Sequence, residues 1–183
     1  MQVNSKIIKS RFEKSMDTYD KNAVIQLESA EKLIAALYSF KSDFGTVIEL
    51  GVGTGILTRC AVDKLTFDNY IGNDLVRKSK TYLKKIVRNA SFVEGNALKI
   101  NVTRCADLIL SNAMFQWIPD FSAVVKKCKS MLNPDGILAF STFGGKNFQE
   151  VHEVSGISLD YLNMSEILNI LKNDYEILYQ EEY

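Results

Sequence analysis

The stretch Glu49-Leu50-Gly51-Val52-Gly53-Thr54-Gly55 decides the fold, because three alternating glycines join a strand-like run to a helix-like run. Thr46-Val47-Ile48 precedes the stretch, and Ile56-Leu57-Thr58-Arg59 follows it. Glycines let the backbone turn sharply and let a ligand approach without a Cβ in the way. The pattern therefore predicts a strand, a tight turn and a helix that together bind a nucleoside-containing cofactor.

The spacing of these glycines indicates which cofactor. Dinucleotide-binding turns follow G-x-G-x-x-G, with the last glycine beneath a pyrophosphate, whereas here Ile56 stands in that last position. Glu49 would also place a carboxylate beside the pyrophosphate. S-adenosylmethionine has a sulfonium and an ammonium and no phosphate, so an acidic turn suits it. The segment E-L-G-x-G-x-G resembles the first motif of class I S-adenosylmethionine-dependent methyltransferases, and a dinucleotide oxidoreductase is the less favoured alternative.

Length and composition predict one domain over residues 1–183. The 183 residues are 46% hydrophobic and 24% charged, as in soluble globular proteins, and the formal net charge is zero. A chain without excess positive charge is not expected to bind nucleic acid. The three cysteines form no C-x-x-C pair, which predicts reduced thiols in a cytoplasmic protein and neither disulfides nor a metal site. No signal peptide or membrane span is expected.

The order of elements predicts an α/β fold. We expect Lys6–Ser39 to be largely helical, with Ala23, Leu27, Ala30, Ile34 and Leu37 on one face. This segment forms an N-terminal helical cap, residues 1–44, before a Rossmann-like core, residues 45–183. Predicted strands are Thr46–Leu50, Asn69–Asp74, Ser91–Glu94, Ala106–Ser111, Gly136–Phe143 (after a turn at Asn133–Gly136) and Tyr175–Tyr179. Predicted helices are Arg77–Val87, Phe121–Leu132 and Ser165–Leu171. Alternating strands and helices form a doubly wound parallel sheet.

Polar residues follow the predicted strands at the edge where ligands bind in such sheets. Asp74 ends the second strand at the distance expected of a ribose-binding acid. Asn96 follows the third strand and can accept a hydrogen bond from an adenine amino group, with Leu75 and Ala97 beside the ring. The segment Ser111–Trp117 follows the fourth strand and is expected beside the methyl donor. It lacks the N-P-P-Y or D-P-P-Y cluster of enzymes that methylate amines on nucleic-acid bases.

Motifs along nearly the whole chain resemble the malonyl-acyl-carrier-protein O-methyltransferases of biotin synthesis. They are Arg11-Phe12, Tyr19-Asp20, Ala23, Gln26, Glu49–Gly55, Ser111-Asn112-Ala113, Gln116-Trp117, Ala139–Gly144, Phe148 and Glu150. The resemblance implies that a malonyl carboxylate attacks the sulfonium methyl and yields a methyl ester and S-adenosylhomocysteine. It also implies a further strand beyond Tyr183, so we expect the sheet to lack its last strand.

The resemblance and the motifs together give a set of site residues. The catalytic set is Tyr19, Asn112, Gln116 and Trp117. The cofactor-binding set is Tyr19, Gln26, Glu49, Gly51, Gly53, Gly55, Asp74, Leu75, Asn96, Ala97 and Ser111. A cation for the malonyl carboxylate could be Arg11 or Lys146, and His152, the only histidine, is expected at a surface helix position.

The acyl carrier protein is acidic and needs a basic docking face. One basic run could supply it: Lys78, Lys80, Lys84, Lys85 and Arg88. Two alternatives remain open at this stage. One is a class I methyltransferase for another small acid or a quinone-like substrate, and the other is a shortened domain that binds cofactor without turnover.

Overall fold

A computed structural model describes residues 5–102, 105–145 and 161–182. Six α-helices lie in this part of the chain: α1 (Ser5–Asn22), α2 (Val24–Phe40), α3 (Ile56–Lys64), α4 (Ser79–Ile86), α5 (Phe121–Met131) and α6 (Met164–Leu171). Its five strands are β1 (Asp43–Leu50), β2 (Thr66–Asp74), β3 (Ser91–Glu94), β4 (Ala106–Asn112) and β5 (Leu132–Ser141). Two short 3₁₀ turns cover Ala97–Lys99 and Phe115–Trp117. The predicted α/β fold is confirmed, and β1 begins two residues before the predicted start of the core.

The five strands form one parallel sheet in the order β3-β2-β1-β4-β5. Strand order reverses between β1 and β4, where ligands bind in doubly wound sheets. The two central strands bury apolar side chains on both faces, as parallel strands covered by helices do. Val47, Leu108 and Leu110 pack with α2, α3 and α4, whereas Ile48 and Ile109 pack with α5 and α6. This sandwich fixes the carboxyl ends of β1, β2 and β4 along one edge.

The N-terminal cap consists of two helices. Its second helix, α2, buries Ala30, Ile34 and Leu37 against the sheet, and Ala23 at its N-cap is buried too. Leu27 is 43% exposed, so it does not share the burial of the other four residues of the predicted face. It lies at the edge of the stripe, where the helix surface turns towards solvent.

Strand β5 begins earlier than predicted and runs through the residues that were predicted to form a turn. Ala106 of β4 pairs with Leu132, while Leu108 pairs with Ile137, so Asn133–Gly136 forms an irregularity within the strand. A Cβ on Gly136 would lie 2.9 Å from the Ala106 carbonyl oxygen. The glycine therefore permits a close approach between the strands, and the predicted separate turn was wrong.

The predicted strand Tyr175–Tyr179 was also wrong, because the described residues 175–182 carry no strand. The Tyr175 hydroxyl donates to the Val125 carbonyl at 2.9 Å, while Ile177, Leu178 and Tyr179 are 40%, 50% and 55% exposed. A run of apolar and aromatic residues does not form a strand where no neighbouring strand pairs with it. The predictions for Lys146, Phe148, Glu150 and His152 lie outside the described residues. No helix in the described ranges has both the length and the apolar character needed to cross a membrane.

Candidate functional site

A cleft of about 620 Å³ lies at the carboxyl edge of the sheet. The glycine turn after β1, the ends of β2, β3 and β4, and the inner face of α1 all line it. The α1 side chains recur at helical spacing: Ile8, Phe12, Met16 and Tyr19. The cleft therefore lies at the strand-order reversal and has a helix across it.

The glycine turn has the backbone that its sequence predicts. Gly51, Gly53 and Gly55 have φ angles of +79°, +55° and +82°, in the left-handed region that side chains disfavour. A Cβ added to Gly53 would meet no atom within 4 Å, whereas one on Gly51 would stand 2.6 Å from Met114 Cγ. Gly53 thus leaves open space at the cleft wall, and its N–H donates to Asp74 Oδ2 at 2.7 Å.

Gly55 lies beside the cleft without lining it. It is the N-cap of α3, and an added Cβ would lie 2.5 Å from Ile86 Cδ1. This glycine permits close packing of α3 against the residue that ends α4.

Glu49 is a fully buried carboxylate that lines the cleft. Its Oε2 accepts hydrogen bonds from the hydroxyls of Thr58, at 2.6 Å, and Tyr70. Its Oε1 is buried and has no partner among the described residues. Burial raises the pKa of Glu49 to about 7, although the two hydroxyl donors lower it. A buried carboxylate oxygen without a donor is expensive, so this atom marks a place for a cationic or donor ligand.

The ends of β2 and β3 bring Asp74 and Asn96 to the same cleft, with Leu75 and Ala97 beside them. Asp74 accepts the backbone N–H groups of Gly53 and Val76, each at 2.7 Å. Burial raises the pKa of Asp74, and these backbone donors oppose that rise. Each carboxylate oxygen keeps a further lone pair. Asp74 is therefore both the anchor of the glycine turn and an acceptor available to a ligand.

Asn96 is exposed, and its side-chain oxygen accepts the Leu98 N–H at 2.8 Å. That bond caps the short 3₁₀ turn Ala97–Lys99. The amide oxygen retains a second lone pair for a ligand. The structure thus places Asn96 where the sequence predicted it and adds a local structural role.

Asn112, at the end of β4, lines the cleft and is committed to internal hydrogen bonds. Its Oδ1 accepts from Ser29, at 2.7 Å, and from Ser141, while its Nδ2 donates to the Gln26 carbonyl at 2.9 Å. One side chain therefore joins α2, β4 and β5. Gln26 lines the cleft beside it.

Ser111 and Gln116 do not line the cleft. The Ser111 hydroxyl is buried and donates to the Leu50 carbonyl at 2.9 Å, which ties β4 to β1. Gln116 donates to the carbonyl of Ala113 at 2.7 Å and accepts from Thr142 at 3.3 Å. Ala113 has a φ of +49°, a strained conformation for a residue with a side chain. Gln116 therefore supports the strained turn after β4.

Three aromatic rings line the cleft near the end of β4. Phe12 of α1 lies 6.1 Å from Tyr19 and 5.7 Å from Trp117, the latter edge-on. Burial raises the pKa of Tyr19, so its hydroxyl stays protonated at neutral pH and can donate. These rings form an apolar wall of the cleft, which Trp117 connects to the segment after β4.

Ion pairs hold α1 over the cleft. Asp17 pairs with Lys78 at 2.6 Å, and Lys9 pairs with Glu94 at 3.0 Å. Asp20 accepts from Arg59 at 2.9 Å and also from the Thr54 hydroxyl. The last pair of bonds connects the C-terminal end of α1 directly to the glycine turn.

Eleven of the predicted site residues line one cleft: Tyr19, Gln26, Glu49, Gly51, Gly53, Asp74, Leu75, Asn96, Ala97, Asn112 and Trp117. Gly55, Ser111 and Gln116 lie outside its lining. Sequence reasoning missed Thr58, Tyr70 and the apolar stripe of α1. The four-residue spacing of Ile8, Phe12 and Met16 was a signal for the stripe, whereas pairing of Tyr70 with Glu49 requires the register of two strands.

Comparison with known proteins agrees with this architecture. Residues 48–140 match the family model described as a methyltransferase domain. The N-methyltransferase NodS from Bradyrhizobium japonicum, solved with S-adenosylhomocysteine, superposes with a TM-score of 0.70 at 15% identity, covering 90% of this chain and 84% of that chain. The DhpI complex superposes with a TM-score of 0.66 at 18% identity, covering 87% and 83%. At these identities the likeness shows the fold.

The fold, the cleft and the family match define a methyltransferase of the Rossmann-like class I. The curated relatives indicate a more specific family within this class. Malonyl-[acyl-carrier protein] O-methyltransferase of Calditerrivibrio nitroreducens is 33% identical over 171 residues, which cover 93% of this chain and 68% of that protein. The enzyme of the same name from Bacteroides thetaiotaomicron is 34% identical over 183 residues, covering 98% and 70%. The chain belongs to the malonyl-[acyl-carrier protein] O-methyltransferase family.

Proposed function

We propose that this chain transfers a methyl group from S-adenosylmethionine to the free carboxylate of a malonyl group on acyl carrier protein, in biotin synthesis. The observation that carries the proposal is the family match over nearly the whole chain. It is supported by a cleft whose polar and apolar halves suit the two reactants.

The residues present fit S-adenosylmethionine. Glu49 Oε1 is buried without a partner among the described residues, as expected of a carboxylate that receives an ammonium. Gly53 leaves open space at the turn, and Asp74 has lone pairs for the two ribose hydroxyls. Asn96 would meet the adenine amino group, with Leu75 and Ala97 against the ring. We therefore assign the β1–β3 half of the cleft to the cofactor, together with Gly51 in the turn.

The proposed reaction needs no strong general base. The cofactor supplies a methyl group on a sulfonium: one carboxylate oxygen forms the new O–CH₃ bond as the S–CH₃ bond breaks, leaving S-adenosylhomocysteine and a methyl ester. A carboxylate is already ionised at neutral pH. The protein's contribution is to align the reactants and exclude water, which can supply on the order of 7–11 kcal/mol. Desolvation of the carboxylate adds to this.

We assign the β4 half of the cleft to the malonyl group. Tyr19 is a hydroxyl donor in the aromatic wall, and Trp117 shapes the pocket with Phe12. Asn112 acts by joining the cap to the sheet, and Gln116 by supporting the Ala113 turn. Neither role requires contact with substrate.

A cation is expected to bind the malonyl carboxylate. Arg11 is exposed and does not line the cleft. The one cation among the described lining residues is Lys9, whose ammonium already pairs with Glu94. Lys146 lies outside the described residues.

The proposed partner is an acidic acyl carrier protein, and helix α4 is the proposed docking face. Its exposed basic residues are Lys80, Lys84 and Lys85 on α4 and Arg88 two residues beyond it, while Lys78 is engaged with Asp17. We also propose a cytoplasmic location, which agrees with three free cysteines, since reducing compartments keep thiols unpaired.

One assay tests the proposal. Purified protein is given labelled S-adenosylmethionine with malonyl-acyl carrier protein, with malonyl-CoA and with acetyl-acyl carrier protein. We expect methyl ester from the two malonyl thioesters, more from the carrier protein, and none from the acetyl thioester, which has no free carboxylate.

Absence of product from both malonyl thioesters would refute the proposed substrate. If S-adenosylhomocysteine still bound in calorimetry, methylation of another small acid would favour a class I methyltransferase of different specificity. Binding without turnover on any acid or quinone tested would favour a non-catalytic cofactor-binding domain.

A further inference from the structure

We propose that Tyr70 and Thr58 are positioning residues for the cofactor's ammonium group. Their hydroxyls hold Oε2 of Glu49 and leave Oε1 as the oxygen available to the ligand. The inference rests on the proposed function, because it assumes that the cleft binds S-adenosylmethionine. It adds two residues that lie outside the cleft lining.

The two oxygens of Glu49 have unlike surroundings. Oε2 accepts from both Thr58 and Tyr70, whereas Oε1 is buried and accepts from no described residue. A carboxylate that was merely tolerated in the core would be satisfied at both oxygens. The asymmetry therefore points to a carboxylate held by one oxygen so that the other can meet a ligand.

The two hydroxyls come from elements that the fold fixes in place. Tyr70 pairs in register with Val47 of β1, two residues before Glu49, and its ring lies 4.9 Å from the ring of Phe67. Thr58 lies in the first turn of α3, which starts from the glycine turn. Tyr70 is 3% exposed and Thr58 is 0% exposed. Neither hydroxyl can find water instead.

An alternative use for these hydroxyls is core packing. Phenylalanine and valine would fill the same positions with no polar atom to bury. The hydroxyls therefore have a polar purpose, and Glu49 Oε2 is the acceptor that both of them have. If either is removed, the carboxylate loses one of the two bonds that fix its orientation.

A pair of ligands separates positioning from folding. S-adenosylhomocysteine carries the ammonium, whereas 5′-methylthioadenosine shares the adenosine and the thioether but lacks the amino-acid end. For the Tyr70→Phe variant, calorimetry should show affinity for S-adenosylhomocysteine about tenfold lower, the effect of one charge-assisted hydrogen bond. Affinity for methylthioadenosine should be unchanged.

Three further variants complete the test. Thr58→Val should repeat the selective loss, and Thr58→Ser, which retains the hydroxyl, should restore affinity. Tyr175→Phe is the matched control, because it removes a tyrosine hydroxyl bonded to Val125 and remote from Glu49. In a Glu49→Gln background, Tyr70→Phe should cause no additional loss of S-adenosylhomocysteine affinity, because no ionised carboxylate is left to position.

Equal weakening of both ligands, or no weakening of either, would overturn the inference while the cofactor assignment stood. If the wild-type protein bound neither ligand, the proposed function itself would fall and the inference with it. If Tyr70→Phe does not fold, the comparison of Thr58→Val with Thr58→Ser decides the question. A selective loss of S-adenosylhomocysteine affinity in Thr58→Val that is absent in Thr58→Ser supports positioning, and equal affinities of these two variants refute it.

Discussion

Replacing Glu49 with glutamine should remove this residue's contribution to the pH dependence of the free energy of unfolding. Glu49 is fully buried, and its pKa is raised from an ordinary value of 4.5 to about 7. Desolvation is the main cause, and the charge of Asp74 adds to it. Thr58, Tyr70 and the charge of Arg59 oppose the rise. The native protein therefore holds this proton more tightly than the unfolded chain does.

The sign and size follow from that difference. A raised carboxyl pKa means that the stability contributed by the protonated group is present below pH 4.5 and is lost as pH rises through 7. The difference of 2.5 pH units between 4.5 and 7 corresponds to about 3 kcal/mol. Between pH 5 and pH 8, we expect roughly 2 to 3 kcal/mol of this loss.

Urea unfolding at pH 5, 6.5 and 8 measures the effect. We expect the free energy of unfolding of wild type to fall relative to Glu49→Gln by roughly 2 to 3 kcal/mol across this range. The comparison between pH values matters more than the absolute stability, because a buried glutamine amide has its own unpaired donors. Glu176→Gln, at an exposed position, is the control and should parallel wild type. Parallel curves for wild type and Glu49→Gln would refute the reasoning.

The same carboxylate should make cofactor binding depend on pH. An ammonium ligand needs Glu49 ionised, so with a pKa of about 7 the affinity of wild type for S-adenosylhomocysteine should fall about tenfold from pH 8 to pH 6. Glu49→Gln should bind weakly at both values. A wild-type affinity that is flat over this range would exclude the ammonium contact.

Three other changes test the rest of the cleft. Asp74→Ala should weaken S-adenosylhomocysteine binding by roughly 1–3 kcal/mol, since the ribose hydroxyls lose their acceptor and the turn loses its anchor. Asp68→Ala, a control at an exposed position on the same strand, should bind normally, and equal affinities of the two variants would contradict the assignment. Gly53→Ala should weaken ligand binding more than it lowers stability, whereas Gly55→Ala, whose Cβ would lie 2.5 Å from the Ile86 side chain, should chiefly lower the melting temperature. If Gly53→Ala mainly lowered the melting temperature and Gly55→Ala mainly weakened binding, the roles of the two glycines would have been misassigned. Asp20→Asn should speed release of S-adenosylhomocysteine in stopped-flow measurements with little change in unfolding free energy, because the ion pair is largely exposed, and an unchanged release rate would argue against α1 as a cover.

Local rules predicted the half of the site nearest the glycine turn. Glycine spacing, the apolar run before it and the acid after β2 each depend on a few adjacent residues. Their consequences, positive φ at Gly51 and Gly53 and a carboxylate at the end of β2, are therefore visible in the sequence. The strand Ser91–Glu94, which also follows from a few adjacent residues, was predicted with its observed bounds.

Features that depend on contacts between distant elements could not be predicted this way. The irregularity in β5 follows from its register with Ala106 and Leu108. The segment Tyr175–Tyr179 was predicted as a strand, but it pairs with none of the described strands. The partners of Glu49 lie nine and twenty-one residues further along the chain. No periodicity in the sequence connects a helix hydroxyl and a strand hydroxyl to the same carboxylate oxygen.

The narrow motif at Ser111-Asn112-Ala113 shows why a motif can identify a family without marking its chemistry. Its serine ties β4 to β1, and its asparagine joins α2 and β5 to the same strand end. These bonds set where the helical cap stands over the β4 half of the cleft. A different residue at Asn112 would leave the Gln26 carbonyl and the Ser29 hydroxyl without this partner and weaken the attachment of the cap at this end of the sheet. The motif therefore joins the cap to the sheet at the wall of the cleft, and this structural role needs no contact between its side chains and a substrate.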